Sequence, residues 1–368
     1  MAKPALFAPI DVRGLRLENR IVIAPMCQYS AEEGCMNEWH LIHLGKLALS
    51  GAALLTIEAT AVTPEGRITY ADLGLWNDQT YAAMCLTVES IRRWSDMPIG
   101  IQLSHAGRKA STDVPWNGGK QFPPTDALGW QTFAPSSIPY SDSCVVPTEL
   151  DREALKRVRD AFAAAARRAD KVGLDLVQLH VAHGYLLHQF LSPLTNHRSD
   201  NYGGSLENRM RYPLEVFDAV RDAFSSEKPV SARLSATDWV KGGLEIEQTV
   251  VFAQELERRG CDLIHASSGG LHPSQRIAVG PSYQVPFART LKQNLHVPVV
   301  AVGLISAYEQ AEAIVGTNDA DMVAVARMAL FDPNWPWHAA AQLGGKVRAP
   351  KQYFCSQPSR YRGLFDTE

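Results

Sequence analysis

Eight short runs of apolar and β-branched residues recur along the chain, with helix-like segments between most of them. In order they are Ile21–Met26, Leu54–Thr60, Pro98–Ser104, Leu174–Val181, Pro229–Ala236, Leu263–Gly269, Pro298–Ile305 and Met322–Arg327. Each is bounded by turn residues and apolar on both faces for much of its length, as a parallel strand buried between two layers should be. Between them, Asp151–Lys171 carries apolar residues at three- and four-residue steps, and Glu245–Arg259 stops before Gly260. Ser205 stands where it can cap a helix beginning near Leu206. Eight strand–helix repeats predict an α/β fold, a closed (β/α)8 TIM barrel with helices outside, against the alternative of an open doubly wound sheet. In this reading residues 1–368 are a single domain, the barrel spanning about 20–342 and a C-terminal extension about 343–368.

Two departures from a bare barrel stand out. Leu6–Asn19 reads as an N-terminal hairpin placed to close the bottom of the barrel. His105–Glu149 is a long loop after strand 3, rich in Pro, Gly, Ser and Trp. It falls on the face where barrel active sites sit, so it reads as a lid or binding loop.

Charge narrows the partners. The formal net charge is −3 and there is no long Lys/Arg run, which argues against nucleic acid and acidic membrane surfaces. The opening Met1-Ala2-Lys3-Pro4 lacks a signal-peptide core, and no apolar stretch approaches the roughly 20 residues of a membrane span. Six scattered cysteines with no Cys-x-x-Cys suit reduced thiols and a cytoplasmic location.

The interior of a barrel is normally Val, Ile and Leu. Here, however, the two-residue period of the strands puts Gln102, His180 and Arg233 on faces opposite their apolar neighbours, aimed inward. An unpaired guanidinium there is costly, so Arg233 calls for a structural ion pair or a polar ligand. A flavin suits the groups offered. An amide matches the donors and acceptors of its pyrimidine edge, and a fixed Arg stabilises the charge that reduction places there. Candidate phosphate seats follow the later strands: Ser267-Ser268-Gly269-Gly270, Ala301-Val302-Gly303 and Ala326-Arg327. There is no G-x-G-x-x-G or P-loop, so no separate dinucleotide domain is expected.

His180-Val181-Ala182-His183-Gly184-Tyr185 follows the fourth strand. Paired imidazoles can polarise a carbonyl oxygen, and a tyrosine, protonated at neutral pH, can give a proton to a neighbouring carbon. A metal site on His180, His183 and His188 is the competing reading. No acidic residue falls among them and Arg233 would repel a cation, so no metal is expected.

At these residues the sequence resembles the Old Yellow Enzyme family, in its shorter, thermophilic-type (YqjM- and xenobiotic-reductase-like) branch. The matching stretches are Ala24-Pro25-Met26-Cys27-Gln28-Tyr29, Glu58-Ala59-Thr60, Gln102 to Arg108, His180 to Leu186, and Asn201 to Arg209. The resemblance implies an FMN-dependent ene-reductase that takes hydride from NADPH or NADH in a ping-pong cycle and reduces enones and related activated alkenes. It implies that Ala24, Pro25, Met26, Cys27, Ala59, Gln102 and Arg233 line the flavin ring, with Cys27 tuning its potential. Gly303, Ala326 and Arg327, with Ser268 and Gly270, would hold the phosphate. His180 and His183 would bind the substrate oxygen, Tyr29 would contact substrate, and Tyr185 would be the proton donor. Some relatives carry an aromatic where this chain has Val302, which points to a wider pocket here. The branch also implies a homodimer in which the C-terminal segment, around Gln352–Phe354 or Ser359–Arg362, reaches the neighbouring site. The rival functions are another flavin barrel dehydrogenase, a metal-dependent hydrolase on the same barrel, and a non-catalytic binding barrel. Dehydrogenases of that kind carry an iron–sulfur cysteine cluster after the barrel, whereas only Cys355 lies beyond residue 261 here.

Overall fold

The computed structural model describes residues 3–366, so the outermost ends of the expected 1–368 domain lie outside the described residues. Eight parallel strands close into a barrel. They are β1 (Ile21–Ile23), β2 (Leu54–Ala61), β3 (Ile99–Ser104), β4 (Leu176–Val181), β5 (Val230–Ser235), β6 (Leu263–Ser267), β7 (Val299–Ala301) and β8 (Met322–Val325). Each neighbours the next in sequence, and β8 pairs with β1. The doubly wound alternative is thereby excluded.

Every expected strand is present, but most are shorter. Pro98, Pro229 and Pro298 precede their strands because proline has no N–H to give the ladder. Their carbonyls still accept, from Leu55 (3.0 Å), Val177 (3.3 Å) and Ile264 (3.0 Å). At the other ends, residues 24–26, 302–305 and 326–327 leave the ladder and become the rim of the mouth.

The helix Arg152–Val172 follows the expected span closely. The Asp151 side chain accepts from Ala154 N at 2.7 Å, and Gly173 ends the helix at φ 85°, a left-handed conformation that glycine adopts without strain. Ser205 accepts from Asn208 N and caps Leu206–Ala223. The third expected helix runs over Ile246–Arg258.

The hairpin is Ile10–Val12 paired with Leu15–Leu17, shorter than expected because Ala5–Phe7 forms a 3-10 turn. That turn is anchored by Glu312, whose carboxylate accepts from the N–H groups of Ala5 and Leu6 at 2.8 Å each. Val12 and Leu17 pack against Val22, Leu54, Leu176, Leu263 and Met322, at or near the starts of their strands. The hairpin therefore plugs the N-terminal end of the barrel and leaves the polar residues to the other end.

The long loop after β3 is held down rather than loose. Arg108, almost fully buried, donates to the carbonyls of Ile138 (3.3 Å), Pro139 (3.0 Å) and Leu271 (2.8 Å). Arg198 donates to Pro135 O and Leu150 O. The loop carries two 3-10 turns and a two-residue parallel pair, Phe133–Ala134 with Thr148–Glu149.

Candidate active site

The strand register stacks polar layers above the plug. Gln178 stands between Gln102 and Ser231, and Arg233 stands between His180 and His265. Gln102 Nε2 donates to Gln178 Oε1 at 2.7 Å, tying two barrel amides together. Arg233 is the exception. No carboxylate pairs with it among the described residues, and its Nε has no hydrogen-bond partner. Protein surrounds it, yet it keeps some accessible surface because it faces the open mouth. Burial lowers its pKa to about 10, so it is still a cation at neutral pH.

His180 and His183 meet beside it. His183 Nδ1 lies 3.4 Å from His180 Nε2, with the rings edge to face at 5.0 Å. Burial holds both imidazoles well below the usual histidine range, and the Arg233 charge adds to that effect. Both are thus neutral at pH 7. Ser267 Oγ sits 2.7 Å from His183 Nε2 and orients the ring. The Tyr185 ring lies 5.0 Å from His180, also edge to face. Burial, then Cys27 and Tyr29, raise the Tyr185 pKa well above the usual phenol range, and Arg233 opposes them.

The segment after β1 supplies the opposite wall. Ala24 N donates to Val325 O at 2.9 Å, so Ala24, Pro25 and Met26 leave the barrel along β8. A register shift in β2 frees Glu58, whose carboxyl accepts from Gln28 N at 2.9 Å and fixes the turn through Cys27. Ala59 lies in register with Gln102, and its backbone hydrogen-bonds to Cys27. Burial keeps Cys27 a protonated thiol, with Tyr29 as its hydroxyl partner. Tyr29 has φ 50°, which turns it toward the loop after β3, where it meets Trp116 at 6.1 Å.

Beyond Arg233 the mouth continues to the ends of β6, β7 and β8. Gly303 has φ 127°, and a Cβ there would stand 2.9 Å from Gln284 Nε2 and 3.1 Å from the Tyr283 ring. Tyr283 feels both Arg233 and Arg327, which links this region to the imidazole pair. Ala326 and Arg327 open the short helix Arg327–Phe331. Two expected phosphate groups point elsewhere. Ser268 Oγ donates to Gln284 Oε1 (2.7 Å), and Gly270 N donates to Gln275 Oε1 (2.6 Å). His188 also turns away from the imidazole pair: Nδ1 accepts from Gly184 N at 2.9 Å and Nε2 faces Asp238.

Sequence reasoning missed several residues. Lys109, Tyr140, Glu58, Gln284 and His265 all border this region. His265 shared the inward period of β6 with Ser267 and was open to the same parity argument; the others carry no periodic signal. A cavity of about 510 Å3 opens beside Tyr29, with Ile68, Thr69, Lys109 and Tyr140 in its walls.

An unpaired guanidinium, amides and neutral imidazoles around the mouth of a parallel (β/α)8 barrel define a barrel built to hold a polar, anionic ligand. Residues 5–345 match the NADH:flavin oxidoreductase / NADH oxidase family, and the chain belongs to it; this is the Old Yellow Enzyme family. It is accordingly an FMN-dependent NAD(P)H oxidoreductase. Among its relatives, an NADPH dehydrogenase of Geobacillus thermodenitrificans is 41% identical over 350 residues, covering 95% of this chain and 97% of that protein. One from Bacillus licheniformis is 40% identical over 355 residues, covering 96% and 99%. The solved structure of morphinone reductase in complex with tetrahydroNAD has a TM-score of 0.77 at 28% identity, covering 98% of this chain and 94% of that one.

Proposed function

We propose that this protein is an ene-reductase that reduces the activated C=C bond of α,β-unsaturated carbonyl compounds, and of nitroalkenes, with Tyr185 as proton donor. The observation that carries the reading is the pair of imidazole nitrogens 3.4 Å apart, with the Tyr185 ring 5.0 Å from His180 and an unpaired Arg233 alongside. When the two imidazoles give up the contact between them, each can turn one neutral N–H to a carbonyl or nitro oxygen seated against the pair, which draws electron density from the conjugated alkene. Tyr185 is protonated throughout the neutral range, so it can protonate the α carbon once the β carbon has accepted hydride.

The residues present fit FMN. Arg233 and Gln102 would face its pyrimidine edge, and Ala24, Pro25, Met26, Cys27 and Ala59 would line the ring. Gly303, Ala326 and Arg327 would hold the phosphate, and Ser268 and Gly270 would join them on exchanging their present partners. When bound, FMN would supply the two-electron chemistry, accepting a hydride from NADPH or NADH and passing one to the alkene β carbon. The chain carries no dinucleotide fingerprint, so nicotinamide and alkene are taken in turn at one mouth, a ping-pong order. His180, His183 and Tyr29 hold the substrate.

The family match does not favour a metal-dependent hydrolase. No described helix is long and apolar enough to cross a membrane. A cytoplasmic location suits the six free cysteines. A homodimer completes the reading: Tyr353, Arg360 and Arg362 are exposed and free to reach a neighbour's site. Sedimentation of a fully active monomer removes that part alone.

The function is tested by steady-state turnover of a panel of enones, maleimides and nitroalkenes with NADPH and with NADH. Consumption of nicotinamide coupled to alkene reduction supports the reading. Flavin-loaded protein that reduces none of the panel overturns it.

A further inference from the structure

We propose that Lys109 is a positioning residue for the proton-transfer step, its ammonium fastening the His183–Tyr185 turn to the loop after β6 and lying against the ring of Tyr185. The inference rests on Tyr185 being the proton donor. Lys109 Nζ donates to His183 O and to Gly270 O, both at 2.9 Å. It also sits 5.1 Å from the ring centroid of Tyr185 and 5.2 Å from that of Tyr140. One cation therefore touches the proton donor, the backbone of a substrate-binding histidine, the β6 loop and the long loop after β3.

The turn needs such a fastener. His183 (φ 58°) and Gly184 (φ 74°) are consecutive left-handed residues, and the first is not a glycine. A Cβ on Gly184 would stand 2.3 Å from Gly270 O, and one on Gly270 would stand 2.5 Å from His183 Cα, so the two backbones are in direct contact. The carbonyl oxygens of His183 and Gly270 converge on the same ammonium. Without it their negative ends face each other, and the turn relaxes away, taking Tyr185 with it.

Charge adds a second effect. Proton transfer leaves negative charge on the Tyr185 oxygen, and a cation against the ring opposes the penalty that burial places on that charge. The charged and titratable groups around Lys109 are Arg108 beside it, His180, His183 and Tyr185 from β4 and its loop, Arg233 from β5, Tyr29 after β1, and Asp113, Tyr140 and Cys144 from the long loop. Burial, then Arg108, lowers the Lys109 pKa to about 8. The clamp is charged below that pH and weakens above it.

The test uses FMN-loaded protein, with 2-cyclohexen-1-one as oxidant and NADPH as reductant, in separate stopped-flow half-reactions. Lys109→Met is expected to slow alkene reduction about tenfold or more, the scale of a misplaced reacting group, and to slow flavin reduction far less. Wild-type alkene reduction is expected to fall above about pH 8 and Lys109→Met to lack that fall, while Lys109→Arg should recover part of the rate. A Lys109→Met variant with the wild-type rate and pH profile overturns the proposal. Equal loss of both half-reactions without rescue by Lys109→Arg marks a merely structural lysine and also overturns it. Wild-type alkene reduction by Tyr185→Phe instead overturns the underlying assignment of the proton donor.

Discussion

His188 Nε2 lies 3.0 Å from Asp238 Oδ1, and neither side chain has any accessible surface. The other oxygen of Asp238 accepts from Ser192 Oγ (2.6 Å) and Leu244 N (2.7 Å). The other nitrogen of His188 accepts from Gly184 N, so this buried pair braces the turn between His183 and Tyr185 from below. Asp238→Ala leaves the buried His188 Nε2, Ser192 Oγ and Leu244 N without their partner and is expected to cost about 1–3 kcal/mol. Urea unfolding checks it, and a midpoint within error of the wild type refutes the brace.

Tyr185→Phe removes the proton donor and keeps the ring. We expect alkene reduction to slow by about two orders of magnitude or more, the usual contribution of a general acid. Flavin reduction by NADPH needs no proton from Tyr185 and should stay within a few-fold. Stopped-flow measurement of the two half-reactions separates these outcomes, and parallel losses contradict the role.

Arg233 has no partner of its own among the described residues, so the protein without cofactor carries an uncompensated buried charge. Arg233→Met should leave apoprotein stability unchanged or raise it by about 1–3 kcal/mol. It should also weaken FMN binding by about one to two orders of magnitude, the value of a charged hydrogen bond. Thermal unfolding with and without FMN reads both quantities. A less stable apoprotein with undiminished FMN binding means that Arg233 serves the barrel alone.

Acid should destabilise the fold early. Burial lowers the pKa of His40, His43 and His105 to about 4, and that of His180, His183 and His265 well below the usual value. The unfolded chain takes up these protons as pH falls through about 6.5, and the native state does not. Stability contributed by the neutral imidazoles is therefore complete above that pH and lost below it, down to about 4 for His40, His43 and His105, each net proton changing it by about 1.4 kcal/mol per pH unit. Asp72, raised to about 6 by burial, and Glu58 and Asp218, also raised, act in the opposite direction. Six imidazoles outweigh three carboxyls, so the urea midpoint should drop from pH 7 to pH 5; a flat profile contradicts the burial assigned to these rings.

Much of the fold was legible because a closed parallel barrel repeats one simple pattern. The period of β3, β4 and β5 put Gln102, His180 and Arg233 on one interior face, and the register places them there. The strand ends were less legible, since proline and the rim residues look apolar whether or not they join the ladder. Lys109 and Glu58 were missed for a different reason. Lys109 lies on an irregular loop, and Glu58 sits at a register shift, where the parity of β2 breaks. Ser268 and Gly270 show the converse: both stand at the expected strand end, but long-range partners such as Gln284 and Gln275 decide where their polar groups point.

The paired glycines at 184 and 270 leave no space for a side chain on either segment. Efforts to broaden the range of compounds accepted by grafting foreign loops must transplant both stretches as one cassette. Exchanging either alone sets a Cβ against the opposing main chain and displaces the residues meant to be kept.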